Sequence, residues 1–228
     1  MRMHTSAPLA AALALALAMF AAPVAAQQAA DIEKVNGSIH AEAGKVYGNL
    51  ETVNGSIVIE ANTRVRSAET VNGSIRMESG GQAGSLETVN GAIRVENGGR
   101  TGELSTVNGG IFVDRGGNVA GGIETVNGAI GLVDTDVSGG IETVNGDITV
   151  GAGSHVRGGI RVVKPQAPWG INIGKKRDPR VVIGPNAVVD GPLVFERTVE
   201  LHVHATARTG AITGATALRF TGDTPPKR

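Results

Sequence analysis

LETVNGAIRV, residues 86–95, raises the question that decides the fold. Two apolar runs flank Asn-Gly, which is the strongest short-range signal of a β-hairpin. Val-Asn-Gly recurs along the chain, however, and its valines are Val35, Val53, Val71, Val89, Val107, Val126 and Val144. Their spacings are 18, 18, 18, 18, 19 and 18 residues. The phrase is therefore one unit of an internal repeat, and the fold has to explain the whole repeat.

Aligned copies of the unit share their apolar positions. Isoleucine or leucine stands three residues before the valine in most copies, and an isoleucine follows four residues after it at Ile39, Ile57, Ile75, Ile93, Ile111, Ile130 and Ile148. With the valine itself, these columns predict roughly five inward-pointing positions in each unit. Short alternating runs broken by Gly-rich bends are typical of β-strands. Units this short cannot bury their apolar faces alone, so we expect them to stack.

Charged columns favour a stacked corner over a hairpin turn. Glutamates recur at matching positions of successive units, for example at Glu33, Glu51, Glu69, Glu87, Glu124 and Glu142, and at Glu42, Glu60, Glu78 and Glu96. Such similarity is expected when each coil pairs in parallel with the next. We therefore predict an all-β, single-stranded parallel β-solenoid of about ten coils of about 18 residues. A right-handed solenoid is slightly favoured, and a left-handed one stays open because each repeat also has the length of three hexapeptides.

Asn-Gly is expected to serve the corner in two ways. Asparagine tolerates the left-handed backbone conformation, and glycine adopts a positive φ at little cost. Stacked asparagine side chains also form hydrogen-bonded ladders. We expect such a ladder, with steps of about 4.8 Å along the rod, at Asn36, Asn54, Asn72, Asn90, Asn108, Asn127 and Asn145.

The N-terminus has the pattern of a secretory signal peptide. Residues 1–26 combine a basic start, an apolar run and small residues before Gln27. The solenoid is expected over residues 27–220, with an exported location in the periplasm or at the cell surface. The chain has no cysteine, so its stability must come from packing. No apolar run that could span a membrane follows the signal peptide.

An inserted loop is expected at residues 165–180, because Val163-Lys164-Pro165 stands where an eighth Val-Asn-Gly would lie. Beyond it the pattern resumes, and a count of 18 residues predicts that Val181 pairs with Val199. Residues 221–228 form a C-terminal tail whose two prolines are expected to blunt one end of the rod.

The inserted loop is the best candidate for a binding site. Trp169, Lys175, Lys176 and Arg177 combine an aromatic ring with positive charge, which suits an acidic glycan, a phosphate-bearing lipid head or a partner protein. The alternative is a loop that only folds its tryptophan back on the rod. The chain carries 21 basic and 21 acidic residues, and this balance gives no electrostatic argument for nucleic acid.

Other candidates for chemistry are weaker. The glutamate columns could bind Ca²⁺, but a solvated face on which Arg76 and Arg94 pair with Glu78 and Glu96 is the preferred interpretation. The histidines His155, His202 and His204 are expected to lie on the surface of strands, although hexapeptide-type acyltransferases use a histidine. We therefore predict no metal site, no cofactor and no catalytic residue.

The repeated phrase (I/L)-E-T-V-N-G-x-I-x-V, at residues 86–95, 123–132 and 141–150, resembles the bacterial DUF4097-type adhesin families of β-strand repeats. It is also similar to the bactofilins, which are polymer-forming β-helical cytoskeletal proteins. The first resemblance covers residues 31–163 and brings no catalytic motif. The signal peptide departs from the bactofilins, which are typically cytoplasmic.

These observations predict a non-catalytic, exported β-solenoid that acts as a structural or adhesin-like binding or scaffold protein of the cell envelope. A self-assembling, bactofilin-like polymer is one alternative. A hexapeptide-type acyltransferase or a polysaccharide-active enzyme is another. The expected partners are a second copy, bound end to end or laterally, or an envelope glycan or protein.

Overall fold

The computed structural model describes residues 29–165 and 177–226. Throughout these residues the chain is all-β, contains no helix and forms a parallel β-solenoid of about ten coils of about 18 residues, which confirms the predicted fold class. The predicted signal peptide at 1–26 and most of the predicted inserted loop lie outside the described residues.

The described strands form two parallel sheets of 15 and 10 strands. The 15-stranded sheet contains β1 (Ala30–Asn36), β3 (Val46–Asn54), β5 (Arg64–Asn72), β7 (Gln82–Asn90), β9 (Arg100–Asn108), β11 (Asn118–Val119), β12 (Ile123–Asn127), β14 (Asp136–Val137), β15 (Ile141–Thr143), β17 (His155–Val156), β18 (Ile160–Val162), β20 (Val188–Val189), β21 (Leu193–Phe195), β23 (Arg208–Thr209) and β24 (Ile212–Thr213). The 10-stranded sheet contains β2 (Ile39–Ala41), β4 (Ile57–Ile59), β6 (Ile75–Met77), β8 (Ile93–Val95), β10 (Ile111–Val113), β13 (Ile130–Leu132), β16 (Ile148–Val150), β19 (Arg180–Ile183), β22 (Glu200–His204) and β25 (Ala217–Phe220).

The first part of the rod, from β1 to β10, has two strands in each coil, and we call it the two-strand section. A long strand, nine residues in β3, β5, β7 and β9, alternates with a strand of three residues. Successive long strands pair in register, so that Glu51 lies beside Glu69 and Asn54 beside Asn72. The shift from coil to coil therefore equals the repeat length, as the sequence predicts.

The second part, from β11 to β25, has three strands in each coil, and we call it the three-strand section. The change occurs above β9, which pairs with β11 through Thr101 and Val119 and with β12 through Leu104 and Ile123. Two residues separate Thr101 from Leu104, whereas three separate Val119 from Ile123. Gly121-Gly122 supplies the additional residue, and the long strand becomes two strands joined by a corner.

Inside the coils, isoleucine, leucine and valine columns form one continuous core. The threonine of Glu-Thr-Val-Asn-Gly also points inward, and its valine points outward. The expectation that the valine is buried was therefore wrong: Val71 is 40% exposed and Thr70 only 4%. The buried threonine hydroxyls donate to the carbonyl of the corner glycine one coil earlier, at Thr52, Thr70, Thr88, Thr106 and Thr125. These hydrogen bonds satisfy polar groups that burial would otherwise leave unpaired.

The Asn-Gly corner needs glycine for space, not for a left-handed backbone. Of the seven Val-Asn-Gly glycines only Gly37 has a positive φ, and none of the seven asparagines has one, so that expectation was wrong. A Cβ at Gly91 would lie 1.9 Å from the carbonyl oxygen of Gly73 in the preceding coil. Apart from Gly37 and Gly214, the left-handed residues lie instead at the other corner, at Gly44, Asn62, Gly80, Gly98, Gly116, Asp134, Gly153 and Asn186.

Beyond the inserted loop, the repeat spacing no longer predicts which residues of successive coils pair. Val181 pairs with Leu201 and not with Val199, so this coil is longer than the repeat. One additional residue lies in the corner between β19 and β20, and another lies in the corner between β21 and β22, which contains Val199. The loop leaves the rod after β18 and the chain returns at Arg180, the first residue of β19. Its bounds of 165–180 stay a prediction, since residues 166–176 lie outside the described chain.

Candidate binding surface

The outer side of β1, β3, β5, β7 and β9 is the most regular surface of the rod, and we call it the long-strand face. It carries a column of exposed valines at Val35, Val53, Val71, Val89 and Val107. Their exposed fractions run from 39% to 67%. Beside them stands a column of glutamates at Glu33, Glu51, Glu69 and Glu87, with Ser105 in the fifth place. Strand alternation explains the pairing, because residues two apart point to the same side.

A shallow groove of about 620 Å³ follows these two columns along the rod. It is lined by the glutamates, the valines and the threonines between them, together with Lys34 and Ser105. Of the eight large exposed apolar side chains in the described chain, six are valines of Val-Asn-Gly, the sixth being Val126 in the three-strand section. An exposed apolar stripe of this length, flanked by charge, is typical of an interaction surface.

The glutamates of the long-strand face have no ion-pair partner within the described part of the chain. The same holds for Arg66 and Arg100, which lie toward the other end of the same strands. The short strands of the opposite sheet differ, because Arg76 Nε lies 2.7 Å from Glu78 Oε1 and Arg94 Nε lies 2.8 Å from Glu96 Oε1. The predicted pairing of these two arginines is confirmed, whereas the glutamates of the long-strand face have no such ion pair among the described residues.

The seven predicted asparagines lie in one column at the edge of this face. Each Nδ2 donates to the Oδ1 of the asparagine one coil earlier, through six hydrogen bonds of 3.0–3.1 Å that join Asn36, Asn54, Asn72, Asn90, Asn108, Asn127 and Asn145. The last acceptor, Asn145 Oδ1, receives Arg197 Nη1 at 2.7 Å. The column holds successive corners in register and ends on a positive charge.

The glutamate column continues into the three-strand section, where its surroundings change. Burial raises the pKa of Glu124, and the negative charges of Glu142 and Glu103 raise it further. A second groove of about 330 Å³ lies here, lined by Gly122, Gly140 and Gly159 together with the two glutamates of the column. Its lining also includes Ile141, Ile160, Arg161, Pro192 and Val194.

Of the loop residues predicted to bind a ligand, the structure describes only Arg177. Its guanidinium forms an ion pair with the carboxylate of Asp147, whose other oxygen accepts the backbone N–H of Arg180 at 2.8 Å. Arg177 therefore attaches the returning chain to the corner of an earlier coil. Trp169, Lys175 and Lys176 lie outside the described residues.

The expectation that His202 and His204 lie on the surface was wrong. Their exposed fractions are 4% and 7%. Both point away from the core residues Leu201 and Val203, but the ring of Phe220 in the last strand packs edge-on against them, with its centroid 5.0 Å from that of His204. His202 Nε2 lies 2.6 Å from Glu200 Oε1, and His204 Nδ1 lies 2.9 Å from Thr206 Oγ1.

His155 is half-buried on the outside of β17, where its Nε2 lies 2.6 Å from Asp190 Oδ2. The three candidate histidines thus have separate hydrogen-bond partners, although Phe220 packs against both His202 and His204. Within residues 29–165 and 177–226, no three His, Asp or Glu side chains are grouped so that they could hold a metal ion. The described chain also contains no helix with the length and apolarity to cross a membrane.

Comparison of the chain with family models, with curated proteins and with solved structures finds no match.

Sequence reasoning placed the glutamate and asparagine columns but missed the valine stripe. The signal was present: Leu86 lies three residues before Val89, and an odd separation along a strand puts two residues on opposite sides. The unpaired arginines at the far end of the long strands were also missed. They do not recur in every coil, and only the structure shows that they share a face with the glutamates.

Proposed function

We propose that the protein is a non-catalytic structural scaffold or adhesin-like binding protein of the cell envelope, and that it acts through its long-strand face. One observation carries this proposal: an exposed valine recurs at five successive levels of that face, with an unpaired glutamate beside it at four of them. A partner that is itself repetitive would meet equivalent contacts at each level. Such multivalent contact gives strong binding from individually weak interactions.

Two further features support this role. The secretory pattern of residues 1–26 supports export. The continuous core and the side-chain ladder support a rigid rod, because backbone hydrogen bonds join successive coils, and threonine and asparagine side chains add hydrogen bonds between coils that carry Val-Asn-Gly. A rigid rod keeps the levels of the face at a fixed spacing, which a scaffold requires.

The test is co-sedimentation of purified residues 27–228 with washed envelope fractions. Parent protein is expected to pellet with them. The variant Val53→Lys/Val71→Lys/Val89→Lys is expected to lose at least tenfold in affinity, because its lysines interrupt the apolar stripe. The matched control is Val58→Lys/Phe112→Lys/Thr149→Lys, which adds the same charge to outward positions of the short strands. Equal binding by both variants, or no binding by the parent, would refute the proposal.

A further inference from the structure

We infer that the partner of the long-strand face is a basic amphipathic α-helix. The helix lies along the rod with its apolar side on the valine stripe and its lysines or arginines against the glutamate column. This inference rests on the proposed function, since it states the chemistry of the partner that the proposed surface binds. It follows from the charges that line the groove and from the spacing of the levels along it.

The groove on the long-strand face is negatively charged. Its acidic lining residues are Glu33, Glu51, Glu69 and Glu87. Among the described residues that line it, Lys34 alone is basic, and Lys34 Nζ donates to Ser38 O at 2.7 Å. Two further carboxylates of the same strands, Asp31 on β1 and Glu103 on β9, are exposed. The groove therefore attracts a positively charged partner.

Stacking brings the carboxylates of the column close together. Glu51, Glu69 and Glu87 pair in register, so neighbouring members of the column lie about 4.8 Å apart along the rod. Like charges in this arrangement are destabilising. A cationic partner relieves the repulsion at every level, whereas an anionic glycan, a nucleic acid or an anionic lipid surface would add to it. The column thus favours a basic partner over these anionic ones.

The arginines on these strands do not neutralise the column. Arg64 and Arg66 precede Glu69 by five and three residues on β5, and Arg100 is the first residue of β9. None of the three lines the groove. The strands β3 and β7 carry no arginine at all. Positive charge is therefore confined to two strands and lies outside the groove, while the glutamates run along it.

The spacing of the levels favours a helix over an extended segment. Neighbouring levels lie about 4.8 Å apart, so the five valines span about 19 Å. An α-helix rises about 5.4 Å per turn, so four turns span about 22 Å and each turn meets one level with a small accumulated mismatch. An extended polypeptide along the rod repeats the same side every 6.6 Å or so and meets only about three of the five valines.

The separation of the two columns fits the same partner. Val71 and Glu69 lie two residues apart on the outer side of β5, a separation of about 6.7 Å. Lysine and arginine stems cover apolar surface over such a distance while their charged ends stay hydrated. The partner is therefore expected to carry apolar residues at i, i+3, i+4 and i+7, with basic residues along the flank of this stripe.

Three synthetic peptides of about 18 residues, or five helical turns, test the chemistry of the partner against purified residues 27–228. The first contains leucine and lysine, with the leucines at helical spacing. The second has the same composition in strict alternation, which favours a strand. The third replaces each lysine of the first with glutamate. In titration calorimetry the first is expected to bind at micromolar concentrations and to weaken as salt is added. The other two are expected to bind at least about tenfold more weakly.

Two variants with equal net charge locate the binding site on the rod. Glu51→Gln/Glu69→Gln/Glu87→Gln is expected to weaken binding of the first peptide about tenfold and to remove most of its salt dependence. The matched control is Glu60→Gln/Glu78→Gln/Glu96→Gln, which removes three carboxylates that follow the short strands of the other sheet. This control is expected to bind within about twofold of the parent. Circular dichroism checks that both variants fold.

Other results would overturn the inference. Equal or tighter binding of the alternating peptide would show that the groove prefers an extended partner. Equal binding of the glutamate peptide would show that the carboxylates do not select the partner. Equal losses in the two glutamine variants would place the site elsewhere on the rod. No binding of the first peptide at about 100 μM would contradict the inference outright.

Co-sedimentation with envelope fractions separates this inference from the proposed function. A glutamine variant of the long-strand face that pellets like the parent, while the valine-to-lysine variant does not, would leave the proposed function standing and overturn the basic partner. A parent that binds the first peptide with the expected selectivity but does not pellet would refute the proposed function and support the inferred chemistry of the face.

Discussion

The two-strand and three-strand sections are built from the same phrase but present different surfaces. In the two-strand section nine-residue strands cross the whole face, so the valine and glutamate columns share one surface with Arg64, Arg66 and Arg100. In the three-strand section glycine pairs such as Gly121-Gly122 and Gly139-Gly140 divide that surface at a corner. One additional residue at each such corner thus divides the broad surface of the two-strand section into the narrower surfaces of the three-strand section.

The largest expected effect concerns the two kinds of glycine. Gly91→Ala in the two-strand section is expected to lower the free energy of unfolding by about 3–5 kcal/mol, because its Cβ would lie 1.9 Å from a stacked carbonyl oxygen. Gly122→Ala in the three-strand section is expected to cost about 1 kcal/mol, since its nearest atom is 3.2 Å away. Urea denaturation followed by circular dichroism measures both. Equal costs would show that the corners of the two sections pack alike.

The buried threonines should give effects of opposite sign. Thr88→Val removes the hydroxyl that donates to Gly73 O at 2.9 Å, and we expect a loss of about 1–2 kcal/mol because the part-buried carbonyl loses this donor. Thr101→Val is expected to be neutral or stabilising, since Thr101 Oγ1 is buried without a hydrogen-bond partner among the described residues. Thermal unfolding of the two variants distinguishes them. A destabilised Thr101→Val would mean that this hydroxyl has a partner.

The asparagine ladder should show a smaller effect that depends on position. Asn90→Ala removes two ladder hydrogen bonds, to Asn72 and from Asn108, and is expected to cost about 1 kcal/mol because the ladder is exposed to water. Arg197→Ala removes the contact at the end of the ladder and is expected to cost about half as much. Hydrogen exchange of the corner amides measures both changes. Equal protection in parent and Asn90→Ala would show that the ladder does not hold the corners.

The smallest effect is the pH dependence of Glu124. Its raised pKa means that the fold disfavours the charged form, so the stability that the protonated form contributes is present at low pH and is lost as pH rises through the folded-state pKa. Glu124→Gln is therefore expected to raise the Tm slightly at pH 7 and to leave it unchanged well below pH 4. Glu96→Gln, which breaks ion pairs with Arg76 and Arg94, is expected to lower the Tm at pH 7. Scanning calorimetry at both pH values gives the comparison.

The sequence predicts the stacking better than the shape of a coil. Exact columns at the repeat spacing require in-register parallel pairing, and Glu51 beside Glu69 follows directly from them. The change from two strands to three depends on where the chain bends, and the Gly121-Gly122 pair signals it only once the corner positions are known. The wrong pairing predicted for Val181 has a similar origin. Additional residues in the corners shift which residues pair without disturbing the alternation of apolar residues along the strands.

The candidate surface was predictable in part. The glutamate and asparagine columns could be read from spacing, whereas the valine was placed inward because apolar residues are usually buried. Burial of the threonine depends on a hydrogen bond to a neighbouring coil, which no pattern of hydrophobicity reveals. The buried histidines are a similar case, since their cover comes from Phe220 at the end of the chain.

The stacked valine stripe is the central feature of the long-strand face, and a pair of cysteines tests this stacking directly. Val71→Cys/Val89→Cys places two thiols one level apart on β5 and β7, where parallel neighbours lie about 4.8 Å apart and within disulfide range. At low protein concentration and with dissolved oxygen as the oxidant, the folded variant is expected to form an intramolecular disulfide, seen as the mass loss of about two hydrogen atoms. Val53→Cys/Val89→Cys, two levels apart, is expected to stay reduced under the same conditions. Closure of the second pair and not the first would contradict the stacked solenoid and the face built on it.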